Sequence, residues 1–256
     1  MDLHLTNKVF IVTGGAKGIG RAIAELLSGE GAISIIVDKD EAAGKELSAK
    51  LKGSHFIEVD LGDQEACRKA VDETINKFKR LDGIVNNAGR NDGVGLEKGT
   101  PAAFRQSLES NVGHFYYMVH YALPYLKTTK GSVVNIASKV ALTGQGNTSG
   151  YAAAKGAVLA LTREWAVELL PYSIRVNAVL PAEVWTPLYE SWISTFDNPQ
   201  EKKLQIESKI PLGHRMTTPQ EIADTVVFLL SDRASHVTGQ WLSVDGGYLN
   251  LDRSIS

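Results

Sequence analysis

Short apolar runs alternate with alanine- and leucine-rich amphipathic stretches along the whole chain. Lys8 to Thr13 is an apolar run of strand length, and the pattern predicts further strands at Ile33 to Val37, His55 to Val59, Asp82 to Asn86, Ser132 to Ala137, Ile174 to Val179 and Gln240 to Val244. Between them the spacing predicts helices from Arg21 to about Ser28, Asp40 to Leu51, Asp63 to about Lys79, Pro101 to about Lys127, Tyr151 to about Leu170 and Thr218 to about Leu230. Continuous apolar runs of this length, closed by turn residues, suit strands covered on both faces. Their alternation with helices predicts an α/β fold built on a doubly wound parallel sheet. No Pro/Ser-rich linker, charge block or repeat divides the chain, so a single domain over 1–256 is expected. Two positions stand out. Thr218 and Pro219 read as an N-cap and first helical residue, and Asn111, a poor helix former, lies inside a predicted helix.

Composition narrows the picture. A chain of 256 residues with 43% hydrophobic content can bury a large core. The net charge of −2 provides no basic field, so neither nucleic acid nor an anionic membrane is an expected partner. Cys67 is the single cysteine, and the six histidines lack ligand spacing, so neither a disulfide nor a metal site is expected. The early apolar run breaks at Gly14, unlike a secretion signal, and no apolar segment reaches the roughly 18 residues that span a bilayer. A cytoplasmic protein acting on a small molecule is the expectation.

The first chemistry follows the first strand. Gly14, Gly15, Ala16, Lys17, Gly18, Ile19 and Gly20 link a strand to a helix, the context in which a glycine loop binds a dinucleotide. The glycines permit a tight turn, and the helix N-terminus receives the pyrophosphate. Asp38 ends the second strand, 18 residues beyond Gly20 (38 − 20), near the offset for a carboxylate that accepts from the adenosine ribose hydroxyls. Such a carboxylate repels a 2′-phosphate. Lys17 and Lys39 are mobile, solvated ammonium groups, so Asp38 favours NAD over NADP. Asp60 and Leu61, at the end of the third strand, are candidates for the adenine.

The second chemistry lies between Ser138 and Lys155. Tyr151 and Lys155 share one helix face, one turn apart, and Ser138 follows a strand end. A tyrosine with a pKa of about 10 is a poor base at neutral pH. A nearby ammonium and a cationic nicotinamide favour the phenolate, while a serine hydroxyl holds the substrate oxygen.

Together, Thr13-Gly14-x-x-x-Gly18-Ile19-Gly20, Asp60, Asn86-Asn87-Ala88-Gly89, Asn111, Ser138, Tyr151 and Lys155 resemble the short-chain dehydrogenase/reductase family over essentially the whole chain. The resemblance implies a Rossmann-type domain that transfers a hydride between a nicotinamide and an alcohol or carbonyl. It implies Tyr151 as acid/base, Ser138 as holder of the substrate oxygen, Lys155 on the nicotinamide ribose, and Asn111 holding a water that links Lys155 to solvent. It also implies Asn87, Gly89, Val184 and Thr186 along the cofactor, and a homotetramer through the long helices. The family usually has Pro-Gly where this chain has Pro181-Ala182. With the triad of Ser138, Tyr151 and Lys155 complete, a cofactor-binding sensor without catalysis is the weaker reading.

For the substrate, Asn91 and Asp92 in one loop, Gln145 and Asn147 in another, and Glu183, Trp185 and Trp192 form a set of polar groups and aromatic walls suited to a polyhydroxylated molecule. Residues 91–97, 181–189 and 211–219 also resemble L-fucose and related aldose dehydrogenases. Gln145 and the Trp185-Thr186-Pro187-Leu188 run are similar to a 17β-hydroxysteroid dehydrogenase type as well, and a 3-oxoacyl-carrier-protein reductase is a further alternative. A substrate lid is expected at about 185–210.

Overall fold

The computed structural model describes residues 1–251; the remainder of the span expected to form one domain, 252–256, lies outside the described residues. Seven strands form one parallel sheet: β1 (Val9–Thr13), β2 (Ile33–Asp38), β3 (His55–Glu58), β4 (Gly83–Asn86), β5 (Ser132–Ile136), β6 (Arg175–Pro181) and β7 (Trp241–Val244). Their order is β3-β2-β1-β4-β5-β6-β7. The chain thus builds outward from β1 in one direction, returns, and builds outward in the other from β4. Val12 of β1 pairs with Ile36 of β2 on one side and Val85 of β4 on the other. Parallel strands need crossovers, and helices on both faces supply them.

Every residue of β1, β4 and β5 is buried, which explains their uninterrupted apolar runs. One face packs on α3 (Gln64–Phe78), α5 (His114–Thr129) and α6 (Ser149–Glu168), with Val71, Phe115, Met118 and Val158 in its core. The other packs on α1 (Gly18–Gly29) and α9 (Pro219–Leu230), around Phe10, Ile23, Val134 and Val226. A smaller cluster joins α2 (Glu41–Lys50) to Ile36 through Leu47. Buried polar groups in this core are partnered across elements: Asn86 Nδ2 donates to Asn135 Oδ1 at 2.9 Å, and Asn135 Nδ2 to Thr162 Oγ1 at 3.0 Å. Thr218 caps α9 in a full capping box with Glu221, and Asp63 caps α3.

The helical region expected over Pro101 to about Lys127 is present and changes its winding midway. The segment is α4 (Pro101–Leu108), a π-helical turn at Glu109–Gly113, and then α5. The turn falls at Asn111, whose Nδ2 donates to the Ser107 carbonyl one turn back, at 3.0 Å. A side chain that bonds the preceding turn and a following glycine both loosen regular winding, and π turns gather at functional sites. Beyond β6 two short helices, α7 (Pro187–Ile193) and α8 (Pro199–Glu207), pack through Ile193 and Ile206, with Trp185 of the preceding loop, onto Ile210 and Met216.

The packing of α1 against the sheet depends on Gly20. A Cβ there would overlap the Gly14 carbonyl oxygen and lie 2.6 Å from Asn87 Nδ2. Gly29, at the end of the same helix, has open space where a Cβ would stand, with nothing within 4 Å. Gly20→Ala is expected to cost about 2–3 kcal/mol, lowering the Tm by roughly 5–10 °C. Gly29→Ala is expected to leave the Tm unchanged or raise stability by about 0.5–1 kcal/mol. Thermal melts of the two variants against wild type check both; equal Tm values for both would refute the packing argument.

Candidate active site

Where the strand order reverses, between β1 and β4, the loops at the carboxyl ends of the sheet part and a crevice opens. A cleft of about 950 Å³ occupies this position. Its walls include every residue expected at the dinucleotide: Gly14, Lys17, Gly18, Ile19, Asp38, Asp60, Leu61, Asn87, Gly89, Tyr151, Lys155, Val184 and Thr186. Ser138 lies in the same cleft.

The glycine loop is shaped by backbone requirements. Gly14 and Gly18 have φ of +60° and +56°, a left-handed conformation that side chains disfavour. Lys17 precedes α1 in extended conformation with no side-chain cap, and the first turn carries no acidic residue. The N–H groups of that helix end are therefore left to face the cleft, as an anionic pyrophosphate requires. Asn87 ties the loop to the end of β4: its Nδ2 donates to the Thr13 carbonyl at 2.9 Å and the Gly14 carbonyl at 3.1 Å, while its N–H donates to Thr13 Oγ1 at 2.9 Å.

At the adenosine end Asp38 accepts from the N–H groups of Ala16 (3.1 Å) and Asp40 (3.0 Å), which fixes its carboxylate at the tip of β2. Lys17 Nζ is paired with Asp40 at 2.5 Å. Spacing along the chain gave no sign of this partner, and the pair is solvent-exposed, with 62% of the Lys17 side chain open to water. The residues present fit a dinucleotide: a glycine cradle, free helix N–H groups and a ribose-directed carboxylate share one continuous wall. Asp60 is exposed and accepts from the Gly62 N–H at 3.0 Å.

At the other end, Tyr151 and Lys155 lie in the first two turns of α6, which packs against β5. The Lys155 ammonium is buried (2% exposed) and donates to the Ile136 carbonyl at 2.7 Å. It lies 5.6 Å from the Tyr151 ring centre and 5.1 Å from that of Phe115. Burial brings the ammonium down to about 7. The phenol of Tyr151 is pushed up to about 12, because desolvation of the phenolate outweighs the favourable Ser138 hydroxyl, and the Asp92 charge adds to the rise. The neighbouring ammonium does not offset this burial by itself, so the expected lowering of the phenol falls to the ammonium and a cationic nicotinamide acting together. Burial costs the phenolate more than a single amine, held by a carbonyl, returns.

Asn111 is fully buried, and its Oδ1 accepts from the Arg90 N–H at 2.8 Å. A Cβ on Gly89 would lie 3.0 Å from Asn111 Oδ1 and 3.5 Å from Lys155 Nζ, so these two groups face one small gap beneath the Asn87-Ala88-Gly89 loop. Both polar atoms of the Asn111 side chain are engaged within the protein. Ala182, in place of the family's glycine, has no left-handed φ and introduces no strain there.

The expected substrate-reading residues are dispersed. Asn91 is an exposed turn former, accepting from the Gly93 N–H at 3.1 Å. Gln145 and Asn147 are exposed, Asn147 with φ of +55°, and neither lines the cleft. Asp92 accepts from the Ser107 hydroxyl at 3.0 Å and is near enough to influence Tyr151. Glu183 does not present a free carboxylate. One oxygen is paired with the Lys139 ammonium, and the other accepts from the Tyr189 hydroxyl at 2.6 Å. Trp185 packs inside the α7–α8 cluster, with the Lys203 ammonium 4.7 Å from its ring centre, whereas Trp192 is 46% exposed. Sequence reasoning missed Lys139, Tyr189 and His114. Lys139 directly follows Ser138, and that adjacency was the available signal; the surroundings that give all three their roles come from distant segments. Among the described residues no cluster of His, Cys, Asp and Glu could hold a metal ion.

The family profile described as Enoyl-(Acyl carrier protein) reductase matches residues 14–249. The chain is 40% identical over 243 residues to the L-fucose dehydrogenase of Mus musculus, covering 94% of this chain and 88% of that one. It is 38% identical to a 2,5-dichloro-2,5-cyclohexadiene-1,4-diol dehydrogenase of Sphingobium indicum, covering 95% and 98%. Among solved structures, the Cj0485 dehydrogenase superposes with a TM-score of 0.96 at 47% identity, covering 100% of this chain and 99% of that one. The Thermoplasma acidophilum aldohexose dehydrogenase gives 0.92 at 31% identity, again over 100% and 99%. With its parallel sheet, glycine cradle and Ser138, Tyr151 and Lys155 in one cleft, the chain belongs to the short-chain dehydrogenase/reductase family and is an oxidoreductase acting on CH–OH groups.

Proposed function

We propose that this enzyme oxidises the anomeric hydroxyl of an L-fucose-like pyranose with NAD, giving the sugar lactone. The observation that carries the reading is the shared cleft, in which Ser138, Tyr151 and Lys155 stand at one end of a dinucleotide-sized groove and Asp38 at the other. When bound, the oxidised nicotinamide accepts the hydride, and its positive ring favours the phenolate that burial opposes. Tyr151 takes the hydroxyl proton as the hydride leaves the sugar carbon. The Ser138 hydroxyl holds the reacting oxygen. Lys155, anchored on the Ile136 carbonyl, binds the nicotinamide ribose.

NAD rather than NADP is supported by Asp38, fixed by two N–H donors, and by the pairing of Lys17 with Asp40. The sugar is supported by the relatives named for L-fucose and aldohexose. Their company with a cyclohexadienediol dehydrogenase points to a ring-borne alcohol in general. Asp92 and the exposed loop residues Gln145 and Asn147 are the hydroxyl readers in this reading, with α7 and α8 as a lid over 185–210. The Lys139–Glu183–Tyr189 network fixes one wall. A 3-oxoacyl-carrier-protein reductase has one observation in its favour, 33% identity to the Thermotoga maritima enzyme of that name over 96% of this chain. Asp38 opposes the NADP preference expected of it. A homotetramer through α5 and α6 is supported by exposed Tyr116 (52%) and Val167 (66%), and light scattering tests it.

L-fucose, other aldoses, cyclohexanediols, a 17β-hydroxysteroid and a 3-oxoacyl thioester, assayed with each nicotinamide at its absorbance, are expected to give the highest kcat/KM for L-fucose with NAD. Steroid or thioester turnover without aldose activity would overturn the substrate. Tyr151→Phe is expected to lower kcat by about 10²–10⁴-fold with the Kd for NAD little changed; unchanged turnover would refute the acid/base role. Asp38→Ala is expected to raise the KM for NAD by roughly 10–100-fold, the range for a lost hydrogen bond to a charged group, and to admit NADP. Retained discrimination against NADP would refute its role.

A further inference from the structure

The turn that presents Ser138 is short. Ser138 follows β5 in extended conformation and caps a three-residue 3₁₀ turn, Lys139–Ala141, its Oγ accepting from the Val140 N–H at a long 3.4 Å. A single 3₁₀ turn is weakly held by its own hydrogen bonds, so the direction of the serine depends on what grips the turn from outside. Val140 packs into the interior. Lys139 reaches across to other segments: it is 8% exposed, and its ammonium pairs with one Glu183 oxygen and lies 4.3 Å from the centre of the Tyr248 ring. A buried ammonium and carboxylate cost more to desolvate than an apolar pair of similar volume, so net stability is a poor reason for their place beside the serine.

Glu183 supplies a fixed far end. Its carbonyl accepts from the Thr217 N–H at 2.9 Å, the Trp185 N–H donates to the Thr217 carbonyl at 2.9 Å, and Val184 pairs with Thr217 between them. The second Glu183 oxygen accepts from the Tyr189 hydroxyl at 2.6 Å. Tyr189 stands on the first turn of α7 and lines the cleft. Burial and the Glu183 charge hold its phenol above the usual value, so it remains a donor at neutral pH. Thr186, the cap of α7, faces the glycine loop, since a Cβ on Gly18 would lie 3.5 Å from Thr186 Cγ2. The start of α7 thus touches the cofactor loop at its cap and the serine turn through Glu183 and Lys139.

We propose that Lys139 is a positioning residue for Ser138: with Glu183 and Tyr189 it ties the serine turn to the first turn of α7, so that the serine hydroxyl is aimed at the substrate oxygen only while α7 is seated against the cleft. The role rests on the Ser138 assignment above. Neither Lys139 nor Glu183 is among the residues that line the cleft, so the lysine acts through the serine and not on the substrate. Displacing a reacting group by about 1 Å can cost about 10²-fold in rate, so a chain of three side chains suffices to govern turnover.

The full-length enzyme with saturating NAD, assayed on whichever alcohol of the panel above it turns over fastest, tests this. Lys139→Met is expected to lower kcat roughly 10–100-fold while the Kd for NAD stays within about twofold. Tyr189→Phe, which leaves the ion pair in place, is expected to lower kcat roughly tenfold. Both are then combined with Ser138→Ala, whose turnover is followed at raised enzyme concentration. In that background each is expected to cost less than about twofold, because the group through which they act is gone. A lysine that only supports the fold lowers the folded fraction whatever stands at position 138, and its effect multiplies with that of the serine. Full multiplication would therefore overturn the proposal, as would wild-type kcat in Lys139→Met. If Lys139→Met does not fold, Tyr189→Phe combined with Ser138→Ala decides by the same criterion. Ser138→Ala by itself separates the two readings. If it loses turnover while Lys139→Met and Tyr189→Phe keep theirs, the positioning role alone fails; if it keeps full turnover, the assignment of the site fails.

Discussion

A lysine ammonium almost completely withdrawn from water is the constraint on which the active end of this molecule depends. Burying an unpaired ammonium costs several kcal/mol even after relaxation, and Lys155 has one carbonyl, that of Ile136, to offset it. The position is tenable because the end of β5, the start of α6 and Phe115 of α5 are packed rigidly around it, and because burial moves the ammonium toward neutrality. Tyr151 is carried on the same helix one turn earlier, so whatever fixes Lys155 also fixes the phenol. That placement leaves a phenol harder to ionise than in water, which is why a positive charge brought by a bound nicotinamide matters to the proposed chemistry.

The cofactor end obeys a different constraint, close approach of backbone. Gly14, Gly18 and Gly20 let the first loop lie against the Asn87 amide and the first turn of α1, and Asn87 binds the ends of β1 and β4 together where the strand order reverses. The two ends are built from different elements, and both line one cleft at the carboxyl edge of the sheet. Asp38 belongs to this rigid part, since two backbone N–H groups orient it.

The substrate side is built differently. Lys139, Glu183 and Tyr189 come from the loops after β5 and β6 and from α7, and their mutual satisfaction turns a carboxylate expected to face the substrate into a structural strut. A buried ion pair of this kind contributes little net stability but fixes geometry. The Tyr248 ring, 4.3 Å from the Lys139 ammonium, joins the C-terminal segment to the same network.

The chain's periodicity alone determined the sheet, its parallel sense and the helix layers, because fully buried strands need continuous apolar runs and helices need one apolar face. It also marked out residues that meet in one cleft, for a glycine loop between strand and helix has few physical alternatives, and the four-residue spacing of Tyr151 and Lys155 sets them on one face of a helix. Residue spacing carries such information only while partners lie within one element. The pairing of Glu183 with Lys139, the surface pairing of Lys17 with Asp40, the π turn at Asn111 and the two unmet nitrogens of His114 depend on segments brought together by folding. The direction of the Tyr151 shift was likewise decided by tertiary burial, since desolvation is set by everything packed around a group and not by its neighbours in sequence.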